Sequence, residues 1–81
     1  DGFEMIDDKK VIIEHKRRTN GILRVTPFHE IVQCHVYMKL CNVKRARIIQ
    51  SFGNYLGMKE VLFDDRIWSL IVRKMKRQLE I

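Results

Sequence analysis

Apolar positions along this chain fall into short β-branched stretches and two longer runs at helical spacing, with polar residues marking the breaks. Phe3–Ile6 is an apolar stretch that stops at Asp7-Asp8-Lys9-Lys10. Val11-Ile12-Ile13-Glu14-His15-Lys16 follows and reads as a strand, and the polar segment between the two predicts a hairpin. Arg17–Val25 is a basic loop around Asn20-Gly21, with room for a short extended piece at Ile22–Val25. Thr26-Pro27 has the form of an N-cap followed by Pro at the first helical position, so a helix is predicted to about Cys41, closed by Asn42. Lys44–Phe52 predicts a strand, Gly53-Asn54 a turn, Glu60–Phe63 a short strand, and Asp64-Asp65 the cap of a last helix reaching about Glu80.

The predicted order, strand-strand-helix-strand-strand-helix, describes an α/β core in which helices cover a small sheet. On the first helix, Phe28, Ile31, Cys34, Met38 and Cys41 form the expected core face. On the last helix, Ile67, Trp68, Ile71, Val72, Met75 and Leu79 share one face, and Arg66, Arg73, Lys76 and Arg77 lie opposite. That basic face is read as solvated in preference to a nucleic-acid contact.

Eighty-one residues suffice for one small domain, with 46% hydrophobic and 32% charged residues, the mixture of a folded chain. The net charge of +6 favours an acidic partner, of which nucleic acid is the commonest. No apolar run approaches the length of a membrane span. Cys34 and Cys41 sit too far apart on a helix for a disulfide, and with His35 they lack the paired spacing of a zinc site. Both are therefore expected to be small buried apolar residues of an intracellular, non-secreted type of protein. The chain opens on Asp-Gly-Phe without a starter Met or a polar lead-in, which suggests a segment of a longer protein.

Candidate chemistry begins on the second strand. Glu14 and Lys16 are separated by one residue, so both leave the same face, together with Ile12. Taken alone this is an ordinary ion pair. If Asp7-Asp8 forms a two-residue turn, paired positions sum to fifteen and Asp1 stands opposite Glu14, with Cβ atoms roughly 5 Å apart. A four-residue turn pairs Asp1 with Lys16 on the same face, whereas an odd loop reverses the facing unless a bulge restores it. Two adjacent carboxylates repel without a cation between them, and hard oxygen ligands suit Mg²⁺ or Mn²⁺. A neighbouring ammonium can orient a metal-bound water, which supplies the parts of a phosphodiester hydrolase. On the following helix, Gln33 and Tyr37 stand one turn apart and His29 one turn earlier, so all three can face the same cleft.

Asp1, then Glu14-His15-Lys16 ending a β-branched strand, then Gln33-x-x-x-Tyr37 on the next helix, together resemble the PD-(D/E)XK nuclease superfamily. The pattern is most similar to its RecB-like branch, with relatives of the lambda-exonuclease and viral alkaline-nuclease type, and it spans nearly the whole chain. The resemblance implies a restriction-endonuclease-like core whose upstream helix and strand are missing from this sequence. It implies that Asp1, Glu14 and the backbone carbonyl of His15 ligate Mg²⁺ or Mn²⁺, and that Lys16 positions the attacking water. Gln33 would hold the lysine or a metal-bound water, and Tyr37 would contact the active site or the DNA backbone. Arg17, Arg18, Arg24 and His29 are the expected nucleic-acid contacts. The iron–sulfur cluster of some relatives needs more cysteines than the two present.

The leading expectation is thus a metal-dependent deoxyribonuclease module acting on DNA in recombination, repair or viral genome processing. Two rivals remain: a non-catalytic nucleic-acid-binding module on the same fold, and a structural interaction domain that docks through the apolar face of the last helix.

Overall fold

Pairing begins at the hairpin, where Ile6 lies opposite Lys9 and the register continues through Met5↔Lys10 to Gly2↔Ile13. This is the two-residue-loop register in which paired positions sum to fifteen. The structure, a computed structural model, describes residues 2–6 and 9–79. Both Asp7-Asp8 and Asp1, whose placement opposite Glu14 the register argument anticipates, lie outside the described residues.

The elements run β1 (Gly2–Ile6), β2 (Lys9–Arg17), α1 (Phe28–Cys41), β3 (Arg45–Phe52), β4 (Tyr55–Leu62) and α2 (Asp65–Leu79). They build an α/β fold on a four-stranded open sheet in the order β1-β2-β3-β4. The sheet is mixed. Its β1–β2 and β3–β4 pairs are antiparallel, while β2 and β3 are parallel. A parallel pair cannot be closed by a tight turn, so the chain crosses over through α1.

The pleat decides which residues α1 covers. The register Ile12↔Ala46, Glu14↔Ile48 and Lys16↔Gln50 puts these six residues on one face. Ile12, Ala46, Ile48 and Val61 pack there against Cys34 and Met38 of α1, joined by Val43 and the partly buried Ile31 and Phe63. Cys34 and Met38 are therefore core, as expected, but Phe28 is 60% exposed and Cys41 is also at the surface. Both flank the buried strip of the helix. Phe28 turns toward α2 instead, where it lines a shallow apolar cavity with Leu70 and Ile71.

Helix ends follow local chemistry with one shift. The N-cap is Pro27 rather than Thr26, because Pro27 has extended ψ (144°), and no side chain caps the helix. Its carbonyl accepts from the Glu30 and Ile31 N–H groups at 3.0 and 3.2 Å. Asn42 closes the helix in the left-handed conformation (φ 54°), and the Val43 N–H returns to the Met38 carbonyl at 2.8 Å. The N-terminus of α2 is capped by Asp64, whose Oδ1 accepts the Arg66 N–H at 2.8 Å. That donor, with the Ile67 N–H, holds the Asp64 carboxyl below its ordinary pKa.

Two elements depart from the sequence reading. β4 starts at Tyr55 rather than Glu60, since ladder pairing with β3 from Phe52↔Tyr55 onward carries residues of weak strand preference. The extended piece at Ile22–Val25 is not a strand. Ile22 instead lies over β4 at Gly57, where an added Cβ would stand 3.0 Å from Ile22 Cγ2. The missing side chain at Gly57 lets the loop approach.

Helix packing runs from the sheet through α1 to α2 among the described residues, and Val11 and Ile13, which point to the face of β2 opposite α1, are buried as well. Of the expected apolar face of α2 only Ile71 is buried, with Met75 and Leu79 exposed. Phe63 and Trp68 stack in sequence beside His35, with ring centroids 5.3 and 6.2 Å apart. His35 is fully buried; its Nε2 accepts the Asp64 N–H at 3.0 Å and its Nδ1 meets the Ile31 carbonyl at 2.8 Å. It is thus the neutral tautomer with Nδ1 protonated, tying the start of α2 to α1.

Candidate active site

Beyond Ile12 the covered face of β2 changes character, from apolar to Glu14 and then Lys16. Glu14 is 1% exposed, and Ala46, Ile48 and Cys34 are buried in the same layer. Its Oε2 stands 3.2 Å from Lys16 Nζ. Its Oε1 is buried without a hydrogen-bond partner among the described residues. A buried carboxylate oxygen in this state is costly, because the desolvation of the charge is not returned by a bond.

Lys16 reaches across to α1, where its Nζ donates to Gln33 Oε1 at 2.9 Å. Strand alternation places the lysine beside Glu14, and the helix rotation that buries Cys34 and Met38 brings Gln33 to the rim. The Lys16 side chain remains 24% exposed, so its ammonium lies between the buried carboxylate and solvent. Glu14, Lys16 and Gln33 are therefore brought together, across seventeen positions in sequence for the lysine and glutamine.

The other expected site residues are placed differently. Tyr37 is 37% exposed and makes no hydrogen bond to Glu14, Lys16 or Gln33 among the described residues. The His29 side chain is 80% exposed, its Nε2 3.9 Å from Glu30 Oε2. Arg17 and Arg24 are exposed, on β2 and on the loop. His15 projects to the opposite face of β2 from Glu14 and is exposed. The strand pairing of β2 with β1 is described as far as Ile13, so no described strand flanks Glu14–Arg17 on that edge.

Arg18 does not face outward as a backbone contact would. Its two terminal nitrogens donate to Glu30 Oε2 and Oε1 at 2.6 and 2.8 Å, and its Nε donates to Gln50 Oε1 at 2.9 Å. A planar guanidinium matches a carboxylate in this fork, which explains why the group can be taken inward. The pairing holds the Glu30 carboxyl below its ordinary pKa, first through the Arg18 hydrogen bonds and against the opposing effect of burial. It raises that of Arg18 for the same reason.

Gln50 completes this knot. It is 1% exposed, its Oε1 also accepts the Leu23 N–H, and its Nε2 donates to the Leu23 carbonyl, both at 3.1 Å. The loop after β2 is thereby stapled over the sheet end.

Sequence reasoning missed Glu30, Gln50 and His35. Two signals for the first pair were available. Gln50 breaks the buried alternation Ala46, Ile48, Gln50, and Glu30 precedes Gln33 by three positions, hence by roughly one helical turn. His35 carried no distinguishing local pattern.

Cys34 lies within the electrostatic reach of this cluster. Burial, reinforced by the negative charge of Glu14, pushes its thiol up to about 11, so it is neutral at physiological pH. Among the described residues, no three His, Cys, Asp or Glu side chains group closely enough to cage a metal ion. No helix among them is long and apolar enough to cross a membrane. Comparison of the chain with protein-family models, with curated proteins and with solved structures gave no match.

Proposed function

We propose that this chain carries the metal-binding glutamate and water-positioning lysine of a Mg²⁺-dependent deoxyribonuclease of the PD-(D/E)XK, RecB-like type. The observation that carries the reading is Glu14: a buried carboxylate with one oxygen on Lys16 and the other without a partner. A buried carboxylate oxygen whose lone pairs meet no donor can donate them to a hard cation, and the oxygen donor set suits Mg²⁺ or Mn²⁺. Glu14 Oε1 would hold the ion, joined in this proposal by Asp1 and the His15 backbone carbonyl. When bound, the ion would polarise a phosphate and acidify a water.

What the chain itself does is orient and neutralise. Gln33 Oε1 takes one of the three Lys16 donors at 2.9 Å and Glu14 Oε2 attracts the ammonium from 3.2 Å. A further N–H of Lys16 is left to direct a water beside Glu14. The partial exposure of the lysine opens this donor to a bound phosphodiester. Arg24 on the loop after β2, and Arg17 at the end of β2 on the face opposite Lys16, are exposed and would supply sequence-independent backbone contacts. DNA in recombination, repair or viral genome processing is the substrate proposed.

The test is cleavage of labelled DNA by the full-length protein with and without Mg²⁺, alongside Glu14→Gln and Lys16→Met, with Mn²⁺ binding followed by electron paramagnetic resonance. Mg²⁺-dependent cleavage lost in both variants, with Mn²⁺ affinity lost in Glu14→Gln, is the expected result. Cleavage that is equal in all three proteins would defeat the reading. Salt-sensitive DNA binding without turnover would replace it with a non-catalytic binding module.

A further inference from the structure

The end of β2 and the start of α1 bring together two carboxylates and two cations: Glu14 and Lys16 on β2, Arg18 just after it, and Glu30 in the first turn of α1. They segregate into pairs. Arg18 closes on Glu30 through both oxygens, and Lys16 lies on Glu14 and Gln33. The two pairs are neighbours: Gln33, which holds Lys16 at 2.9 Å, stands about one helical turn from Glu30 on α1, and the charge of Lys16 also acts on Glu30.

The two cations differ in what they can do. A guanidinium binds a carboxylate as a rigid fork, whereas an ammonium on a four-carbon stem can swing between acceptors. Glu30 is 3% exposed and must keep a partner. If Arg18 were replaced by a neutral residue, the cations within electrostatic reach of Glu30 would be Lys16 and, when protonated, His29, whose Nε2 stands 3.9 Å from Glu30 Oε2. Arg18 is itself fixed by Gln50, so its fork cannot wander.

We infer that Arg18 is a positioning residue: by saturating Glu30 it keeps the Lys16 ammonium on Glu14 and Gln33, where the proposed hydrolysis needs it. This rests on the nuclease reading of the site. It also reassigns Arg18, which the family resemblance offers as a nucleic-acid contact, to a role inside the protein. The consequence is a non-additive pair. Neutralising Arg18 alone frees Glu30 to capture Lys16, while neutralising both removes the competitor.

The experiment compares wild type, Arg18→Gln, Arg18→Gln/Glu30→Gln and Lys16→Met in the full-length protein. Three readouts are taken: kcat and KM on DNA, the salt dependence of DNA binding, and the NMR signals of the lysine Cε and Nζ atoms without metal, with Lys16 assigned through its Met variant. Arg18→Gln is expected to lower kcat by about ten- to a hundredfold through misplacement of the lysine, with KM changed by less than about threefold. The salt slope should be unchanged and the Lys16 signals should move. In the double variant both kcat and the Lys16 signals should return toward wild type.

A raised KM with kcat intact and a salt slope lower by about one would make Arg18 a phosphate contact and overturn the inference. A double variant no more active than Arg18→Gln would also overturn it, as a purely structural role predicts. If Arg18→Gln does not fold, the double variant decides against wild type: a kcat as low as that of Lys16→Met overturns the inference. Should the wild type not cleave DNA, the nuclease reading fails separately, and the Lys16 signals alone judge whether Arg18 holds the lysine in place.

Discussion

Glu14 and Glu30 are two glutamates of nearly equal burial, 1% and 3% exposed, at the same end of one small sheet. Their surroundings differ sharply. Glu30 has a charged donor on each oxygen from a guanidinium that is itself braced by Gln50. Glu14 has an ammonium 3.2 Å from one oxygen and nothing on the other among the described residues. A stability role predicts the first arrangement, because a buried charge is tolerable when its lone pairs are satisfied. The second leaves one carboxylate oxygen without a partner, and the proposed metal site rests on that oxygen.

The sharpest way to break this comparison is catalysis. Lys16→Met is expected to lower Mg²⁺-dependent DNA cleavage by about a hundredfold or more, in the range of a lost proton-handling group, and to lower thermal stability as well, because the buried Glu14 carboxylate loses the ammonium at its Oε2. Steady-state cleavage assays beside melting curves check it.

Stability should separate the glutamates in the opposite sense. Glu30→Ala leaves Arg18 buried without its carboxylate and is expected to cost about 3–5 kcal/mol in denaturant unfolding. Glu14→Gln in metal-free protein should cost less than about 1 kcal/mol, or stabilise, because it removes a buried charge with one unsatisfied oxygen, while Lys16 keeps Gln33 and its access to solvent. Similar losses in both variants would erase the distinction.

A ligand should reverse that order. At a Mg²⁺ concentration of about 100 times Kd, the native state gains about 2.7 kcal/mol. The wild-type unfolding midpoint should rise with Mg²⁺ accordingly, and Glu14→Gln should not respond. An equal rise in both would place the ion elsewhere.

Acid titration sharpens the Glu30 side. Its folded-state carboxyl titrates below the ordinary glutamate value of 4.5, chiefly because of the Arg18 hydrogen bonds. The stabilisation from this pair is thus fully present above that ordinary value, and is lost as pH falls through the lowered folded value. The unfolding free energy measured from pH 6 downward should fall below about pH 4.5 in wild type, and with a shallower slope in Glu30→Gln. The smallest effect is expected at Gly57→Ala. Its Cβ would press on Ile22 Cγ2 at 3.0 Å, but Ile22 is 36% exposed and can move, so a change within about 1 kcal/mol is expected by calorimetry.

Element order was legible because the signals for it are local. β-Branched runs, the Gly53-Asn54 turn, Asn42 in the left-handed region and the Asp64 cap each act over a few residues. The hairpin register could be narrowed by parity alone, since a two-residue loop sets which residues pair. Glu14 and Lys16 could be placed on one face for the same reason, and Gln33 and Tyr37 on one side of α1.

Their surroundings were not legible in the same way. Whether a helix residue meets a strand residue depends on how α1 is rotated against the sheet, and the buried strip of Cys34 and Met38 sets that rotation. It turned Gln33 to Lys16, left Tyr37 at the surface and put Phe28 against α2 rather than in the core.

The amino-acid sequence by itself determined the succession of strands and helices, the facing of Glu14 and Lys16, and the basic charge. Tertiary structure alone decided that Arg18 turns inward, that Glu30 and Gln50 receive it, and that one oxygen of Glu14 is left without a partner. Those contacts join positions 12 and 32 residues apart through the β2–β3 crossover. No local periodicity encodes such a meeting; it exists only once the parallel strands and the helix above them have been packed.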